Sequence, residues 1–369
     1  MKKAHGKWRR WASAALLTLT LLVVVASFLP LLESNAWWVR YMDYPRLQLA
    51  IALPILLILY LVVHQRVGRN GWALGLLTVG ALGYHGSELY PYSSLVAHQA
   101  VEFDSCPSDS LVSVMIANVQ EGNERSEEFL HMVGEIDPDV LLVMETDQWW
   151  DQQLSEIDEQ FTGRVQHIPQ NEGDFGMHLF SKLELVSPEF RFFFDAYTPT
   201  LFSGIRLRNG ETFDFVGVHP RPPIPPSQST AYRDGHLLKA ALEARSSALP
   251  TIVAGDTNSV PWEDVTRRMM RIGELLDPRI GRGLYPTFGA KNPVISWPLD
   301  HILFQEDFGL ESFEVLPEFG SDHYPVLARL CLSAATGEVQ SASSLREGDL
   351  EQADQAIAAA MAKDTDEET

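Results

Sequence analysis

Two textures of hydrophobicity divide this chain. From Trp11 to about His85 the apolar residues form long unbroken runs; from Leu111 onward the runs are short and interrupted by polar residues and turn formers. SAALLTLTLLVVVASFLPLL carries no charge and reaches the ~20 residues that a bilayer core requires. LQLAIALPILLILYLVV is slightly shorter, and GWALGLLTVGALGY shorter again. Together they predict three membrane-spanning helices, over about 11–32, 47–64 and 71–88 within a region 11–90; the competing reading of each is a buried core helix. A cleaved signal peptide fits poorly, because no convincing small-residue cleavage site follows the first run and more apolar sequence does.

The second texture predicts a sheet-rich domain over 108–333, joined to the first region by a linker, 91–107. LVSVMIANV, VLLVME, GMHLFS, ELVSPEFRFFF, LFSGIRLR, TFDFVGVH, TIVAGD, LDHILF, FEVLPE and PVLARLCL read as strands, with Asn209-Gly210 as a hairpin turn. Glu124 to Ile136 reads as a helix with Phe129, Leu130, Val133 and Ile136 on one face, stopped at Asp137-Pro138. Further helices are expected over Trp149–Phe161, Arg233–Leu249 and Trp262–Gly273. RPPIPPS cannot join a regular sheet and reads as a loop at the rim of a site. Strands outnumber helices and alternate with them irregularly, so the expected class is α+β, a two-sheet β-sandwich with helices on its outer faces.

Charge sets the orientation. MKKAHGKWRR is densely basic, which keeps residues 1–10 in the cytoplasm, and HQRVGRNG carries Arg66 and Arg69 with no acid. Three spans with the N-terminus inside place everything after about Leu89 outside the cytoplasm, which in a bacterium is the periplasmic side of the inner membrane. The net charge of −21 weakens a nucleic-acid reading, since phosphate neutralisation by a basic face supplies much of such affinity. Arg206, Arg208, Arg221 and Arg233 are the candidates for a local basic groove. The stretch 334–369 reads as an acidic tail, a solvated helix with a disordered end.

Short polar islands close several of the apolar runs. Asn118 ends SVMIAN, Glu145 ends VLLVME, His219 ends FVGVH, Asp256 and Asn258 follow TIVAG, Asp300 opens LDHILF, and Asp322-His323 precedes PVLARL. An isolated acidic residue at a strand end is ordinarily a turn former or cap. Several in ordered series are different: strand ends gather side chains from distant sequence into one place. A charged Asp-His pair beside a core strand is costly unless its groups are paired or at work.

This ordered set, with the GDxN of Asp256 and Asn258, LDHI, SDHxP and the strand FGMHLFSK, closely resembles the endonuclease/exonuclease/phosphatase superfamily of metal-dependent phosphoesterases, over roughly residues 110–332. The resemblance implies a four-layer αββα sandwich and a phosphate-ester substrate. It departs from some members at Gln120, where those carry an acidic residue. It also implies that the first and last strands are antiparallel neighbours, which would bring Cys106 and Cys331 together; a disulfide in an oxidising compartment and two unrelated thiols both remain open.

Roles follow from residue chemistry and the resemblance. Glu145 with Asn118 offers hard oxygen ligands suited to Mg²⁺ or Mn²⁺, and the absence of a Cys cluster or HExxH motif argues against zinc. Asp322 is implied to help hold the metal through water. Asp256 is placed to deprotonate a water, with Asn258, His219 and His323 donating to phosphoryl oxygens and Asp300 orienting His323. Arg221, Arg233 and His178 are the candidate substrate contacts; Trp297, Thr287 and Phe288 are read either as rim or as packing. The expected function is a membrane-anchored phosphoesterase acting on a lipid head group or small phosphate ester, with membrane lipid as a partner. The alternatives are a periplasmic nuclease and a catalytically inactive, membrane-tethered binding module.

Overall fold

A computed structural model describes residues 2–32, 34–65, 68–103, 105–169, 175–223, 229–292 and 294–367. Arg66 and most of the Pro-rich segment after His219 lie outside these residues.

The N-terminal region consists of helices α1 (Lys2–Phe28), α2 (Trp37–Arg40), α3 (Arg46–His64) and α4 (Arg69–Leu89). Among the described residues two segments are long and apolar enough to cross a membrane, Lys7–Leu31 and Arg46–His64, each with a mean hydropathy of 2.4. The expectation of three spans is corrected here. Helix α4 has 21 residues, but Arg69, Asn70, His85, Ser87 and Glu88 at its ends dilute its apolar middle. It still packs beside the other two. Val24, Leu53 and Ala81 form a small shared core, and the His85 Nε2 lies 2.9 Å from the Ser27 hydroxyl.

Two six-stranded mixed sheets make the second region. The first contains β1 (Leu111–Asn118), β2 (Val140–Met144), β3 (Gly163–His167), β4 (Met177–Ser181), β11 (Phe308–Val315) and β12 (Val326–Leu332), in the order β11-β12-β1-β2-β4-β3. The second contains β5 (Glu184–Phe192), β6 (Pro199–Arg206), β7 (Thr212–Val218), β8 (Thr251–Asp256), β9 (Leu275–Leu276) and β10 (Asp300–Gln305), in the order β5-β6-β7-β8-β10-β9. The sheets pack face to face through alternating side chains, with Val114, Ile116 and Leu142 meeting Phe215, Ile252 and Ile302. The other face of β2, Leu141 and Val143, packs under Phe129 and Val133 of α5 (Ser126–Ile136) and Trp150 of α6 (Gln148–Leu154). Val216 and Val253 are covered in the same way by Leu237 and Ala241 of α7 (Ala231–Ser246) and Met269 of α8 (Asp264–Gly273). Burial on both faces explains why β2 and β8 read as unbroken apolar runs instead of alternating ones.

The acidic tail is helical and packed against the domain. It forms α9 (Asp349–Glu367), which docks on α7. Gly235 of α7 permits the contact, since a Cβ there would lie 2.8 Å from the Cβ of Ala360. Arg271 clamps the first turn with bonds of 2.8 and 2.7 Å to the two carboxylate oxygens of Asp349.

A disulfide joins Cys106 to Cys331, with the two Cα atoms 5.7 Å apart and 225 residues between them in sequence. The antiparallel pairing of β1 with β12, in which Leu111 faces Cys331, sets this proximity. The residues between α4 and the bridge are also pinned, because the Phe103 amide donates to the Leu310 carbonyl and the Leu310 amide to Val101. Closing so long a loop restricts the unfolded chain by on the order of 5 kcal/mol in the loop-entropy model. Cys106→Ser is therefore expected to lower the denaturation midpoint markedly. Reductant should destabilise the wild type and leave the variant unchanged, which equilibrium unfolding with and without reductant will show.

Candidate active site

Both sheets deliver polar residues to one shared edge. β1 and β2 run parallel, so Asn118 at the end of β1 lies opposite Met144, and Glu145 follows directly. β7 and β8 are the parallel pair of the other sheet; His219 follows β7, and Asp256 ends β8. β10 runs antiparallel to β8 with Asp300 facing Asp256, and the turn before β12 supplies His323. The approach of β8 to β7 depends on a glycine. At Gly255, φ is +142°, and a Cβ would fall 1.9 Å from the Val218 carbonyl oxygen.

The side chains interlock. The Asn118 amide donates to Glu145 Oε1 at 2.6 Å and to Asp256 Oδ2 at 3.2 Å. His323 Nδ1 is 2.8 Å from Asp300 Oδ2, and its Nε2 is 3.7 Å from Asp256 Oδ2. His219 sits between the acids, its Nε2 3.7 Å from Glu145 Oε1 and its Nδ1 3.9 Å from Asp256 Oδ2. Glu145 and Asn258 hold positive φ angles of 59° and 50° without being glycine, a strain of about 1–3 kcal/mol each that clusters at functional sites. The backbone amide of Asn258 donates to Asp256 Oδ1 at 2.9 Å, while its side-chain amide donates to the Pro220 carbonyl at 3.1 Å.

Burial dominates the electrostatics. It pushes the Asp256 carboxyl up to about 6, helped by neighbouring Asp300 and opposed by His323 and His219. Burial alone would make His323 a weaker base, but the carboxylates of Asp300 and Asp256 outweigh it and raise the imidazole to about 10. His323 is thus held as an imidazolium with Asp300 as its partner.

Three of these groups, Asp256, Asp300 and His323, bring potential ligand atoms within 4.8 Å of one another. With Glu145 beside them, the donor set is rich in hard oxygen. Asp300 Oδ1 and His219 Nδ1 are both buried with no hydrogen-bond partner among the described residues. This chemistry fits a divalent cation.

The structure brings together Asn118, Glu145, His219, Asp256, Asn258, Asp300 and His323. Asp322 lies at their edge, its backbone amide donating to Gln120 Oε1 at 3.2 Å. Arg221 lies beyond the phenyl ring of Phe175, which neighbours His219, and is engaged by Asp195 at 3.1 Å. Two expected substrate contacts are corrected. His178 is buried inside β4, 3.0 Å from the Thr146 hydroxyl and 3.1 Å from Asp151; burial lowers it to about 4, so it is a neutral strut between strand and helix. Arg233 is buried behind the cluster. It pairs with Glu263 and Asp234 and donates to the Asn258 carbonyl at 2.9 Å.

Other contributors carry little signal in the sequence. The Ser321 hydroxyl donates to the Asn118 carbonyl at 2.8 Å and accepts from the His323 amide at 3.0 Å. Thr287 Oγ1 accepts from the Asp300 amide at 3.0 Å, and the Phe288 ring meets His323 edge-on. Most distant in sequence is Tyr44, from the segment between α1 and α3. Its hydroxyl donates to the Asn258 carbonyl at 2.5 Å, and the Trp262 indole donates to the Asp43 carbonyl at 2.7 Å beside it. The N-terminal region therefore holds a loop of the site. Tyr44→Phe is expected to lower kcat by roughly threefold to tenfold, the value of one buried hydrogen bond, with KM little changed. Steady-state kinetics together with a melting curve will separate this positioning effect from lost stability.

The comparisons agree with this geometry. The model of the Endonuclease/Exonuclease/phosphatase family matches residues 115–323, more than half of the chain. Among solved structures, zebrafish (D. rerio) TDP2 complexed with single-strand DNA product aligns with a TM-score of 0.51 and 14% identity, over 60% of this chain and 99% of that one. The human Nocturnin catalytic domain with bound sulfate aligns with a TM-score of 0.50 and 17% identity, over 62% and 96%. No curated protein matches the sequence. At such identities the structural likeness speaks for the fold; the family model, spanning the strand-end residues from β1 to His323, shows that the chain belongs to the Endonuclease/Exonuclease/phosphatase family.

Proposed function

We propose that this protein is a membrane-anchored, metal-dependent phosphoesterase that hydrolyses a phosphate ester by in-line attack of water. The observation that carries this reading is the Asp300–His323–Asp256 arrangement, facing Glu145 and Asn118 across a few ångströms. Asp256 takes a proton from the attacking water as the water oxygen bonds to phosphorus and the bond to the leaving oxygen breaks. His323, kept protonated by Asp300, donates to a phosphoryl oxygen as charge builds, and His219 donates from the opposite side. Mg²⁺ or Mn²⁺, held by Glu145 and Asn118 with Asp322 nearby, would neutralise phosphate charge when bound.

Several features favour a small or lipid-borne ester over a nucleic acid. The arginines expected to form a basic groove are each committed to carboxylates: Arg206 to Glu184, Arg208 to Asp139, Arg221 to Asp195, and Arg233 to Glu263. The apolar helices also have the length and composition of a bilayer anchor. Along α3, Ile51, Ile55, Ile58 and Val62 form one stripe, each more than half exposed. Water would penalise such a stripe and lipid tails would not. The segment joining α1 to α3 touches the catalytic loops, so both occupy one side of the membrane. The basic N-terminus puts that side in the periplasm, and the chain returns to it along α4, which is polar at its ends but packs against α1 and α3.

Alkaline phosphatase fused after Leu95 is expected to be active in cells; an inactive fusion alongside an active cytoplasmic reporter at the same point would reverse the orientation. Glu145→Ala, Asp256→Ala and His323→Ala should each reduce turnover of bis-p-nitrophenyl phosphate by at least roughly a hundredfold. Raised Mg²⁺ or Mn²⁺ should partly rescue only Glu145→Ala, and Asp300→Asn should show a milder loss. Near-normal hydrolysis by folded Asp256→Ala and His323→Ala would defeat the mechanism.

A further inference from the structure

A cavity of about 500 Å³ lies between the start of α3 and the loop that precedes β10. Its walls include Leu47, Trp262, Leu284, Tyr285, Trp297 and Val315, and among the described residues no charged side chain lines it. Two connections give it meaning. On one side, Trp297 stacks on Phe288 at 5.7 Å between ring centres, and Phe288 meets His323 at 5.1 Å. The cavity therefore begins one aromatic pair away from the catalytic imidazolium. On the other side, Leu47 belongs to α3 and continues into the exposed stripe that starts at Ile51. Gln48 of the same turn donates to the Val294 carbonyl at 2.9 Å. This bond rests the tip of the loop, where Val294 is 70% and Ile295 46% exposed, against the outer end of the helix. An apolar surface thus runs from the membrane-facing side of α3 into a cavity behind the site. The cavity beside β5 and β6 differs, being lined by Glu189, Arg191, Asp214 and Glu243.

We propose that this cavity binds the aliphatic chain of the substrate, and that the substrate is an amphiphilic phosphate ester drawn from the bilayer with its phosphate at the Asp–His cluster. The inference rests on the phosphoesterase reading above and narrows its substrate class. The occupant follows from the walls: they are mainly aromatic and aliphatic, with Gln48 and Ser296 the polar exceptions, they offer no countercharge among the described residues, and they join a surface suited to lipid chains. Val294 and Ile295 would sit in the interfacial layer and hold the entrance there. Each methylene transferred from water to such walls adds roughly fourfold in affinity, so contact with only about two of them separates long from short chains by about tenfold.

The test uses the full chain in lipid nanodiscs and two phosphodiesters, methyl and dodecyl p-nitrophenyl phosphate. Wild type is expected to favour the dodecyl ester by at least about tenfold in kcat/KM. Partitioning into the bilayer contributes to that ratio equally in any variant, so the decisive comparison is with Leu284→Trp, which fills the cavity. That variant should lose roughly tenfold on the dodecyl ester and stay within about twofold on the methyl ester. Val315→Trp fills the cavity from another wall and serves if the first variant folds poorly. An unchanged dodecyl-to-methyl ratio in a folded cavity-filled variant would overturn the proposal. If neither diester is hydrolysed, the phosphodiesterase form of that reading fails and the cavity is judged by labelling instead. A dodecyl phosphate carrying a terminal diazirine should then mark peptides containing Leu47, Leu284 or Tyr285; labelling confined to the exposed faces of α1 and α3 would overturn the proposal.

Discussion

The central constraint on this molecule is the crowding of buried carboxylates at one edge of a sandwich. Glu145, Asp256 and Asp300 all point into a space that two histidines and one asparagine share. Ionised carboxylates resist both burial and one another's company. The surrounding chemistry reads as an answer to that cost. Asn118 donates to two of the acids at once, the backbone amide of Asn258 donates to Asp256, and His323 is driven to its charged form by the acids on either side of it. Charge that the protein leaves only partly balanced is available to a cation and to the phosphate that such a cation brings.

Holding this arrangement requires backbone that would be unfavourable elsewhere. Gly255 accepts contact with β7 that a side chain would forbid, and Glu145 and Asn258 take left-handed conformations. The supports behind them are correspondingly strong. Arg233 and Glu263 pair in full burial at the back of the Asn258 loop, and a pair of that kind is costly to break once formed. The charge logic is local: Arg233 bonds the carbonyl of the loop itself.

Much of this was legible in the sequence because it is written in short-range pattern. Buried strands announce themselves as apolar runs, and a polar residue at the end of such a run, as at Asn118, Glu145 and Asp256, has few places to go except a shared edge. The misreadings share a different cause. His178 and Arg233 were legible as polar groups near the site but not as buried ones, because their partners, Thr146, Asp151 and Glu263, are assigned by packing between elements. The docking of α9 depends on a glycine, Gly235, whose relevance appears only when Ala360 is opposite. Tyr44 left no trace at all. Its bond to Asn258 spans 214 positions, and nothing in the pattern around a tyrosine between two apolar helices indicates a role at a catalytic loop.

That last contact changes how the two regions relate. A helical region that touches nothing else could be replaced by any other. Here the segment between the apolar helices contributes Tyr44 to the loop of Asn258, Asp43 to Trp262, and Gln48 to the loop of Val294. Glu88, at the end of α4, pairs with Arg267 of α8. These bonds come from both ends of the helical region and reach both sides of the site, so the orientation of the helices and the geometry of the catalytic loops are set together. The same contacts that steady Asn258 also fix how the rim of the site meets the helices. The helical region is then part of the active site's scaffold, and its position relative to the Asp–His cluster follows from the fold.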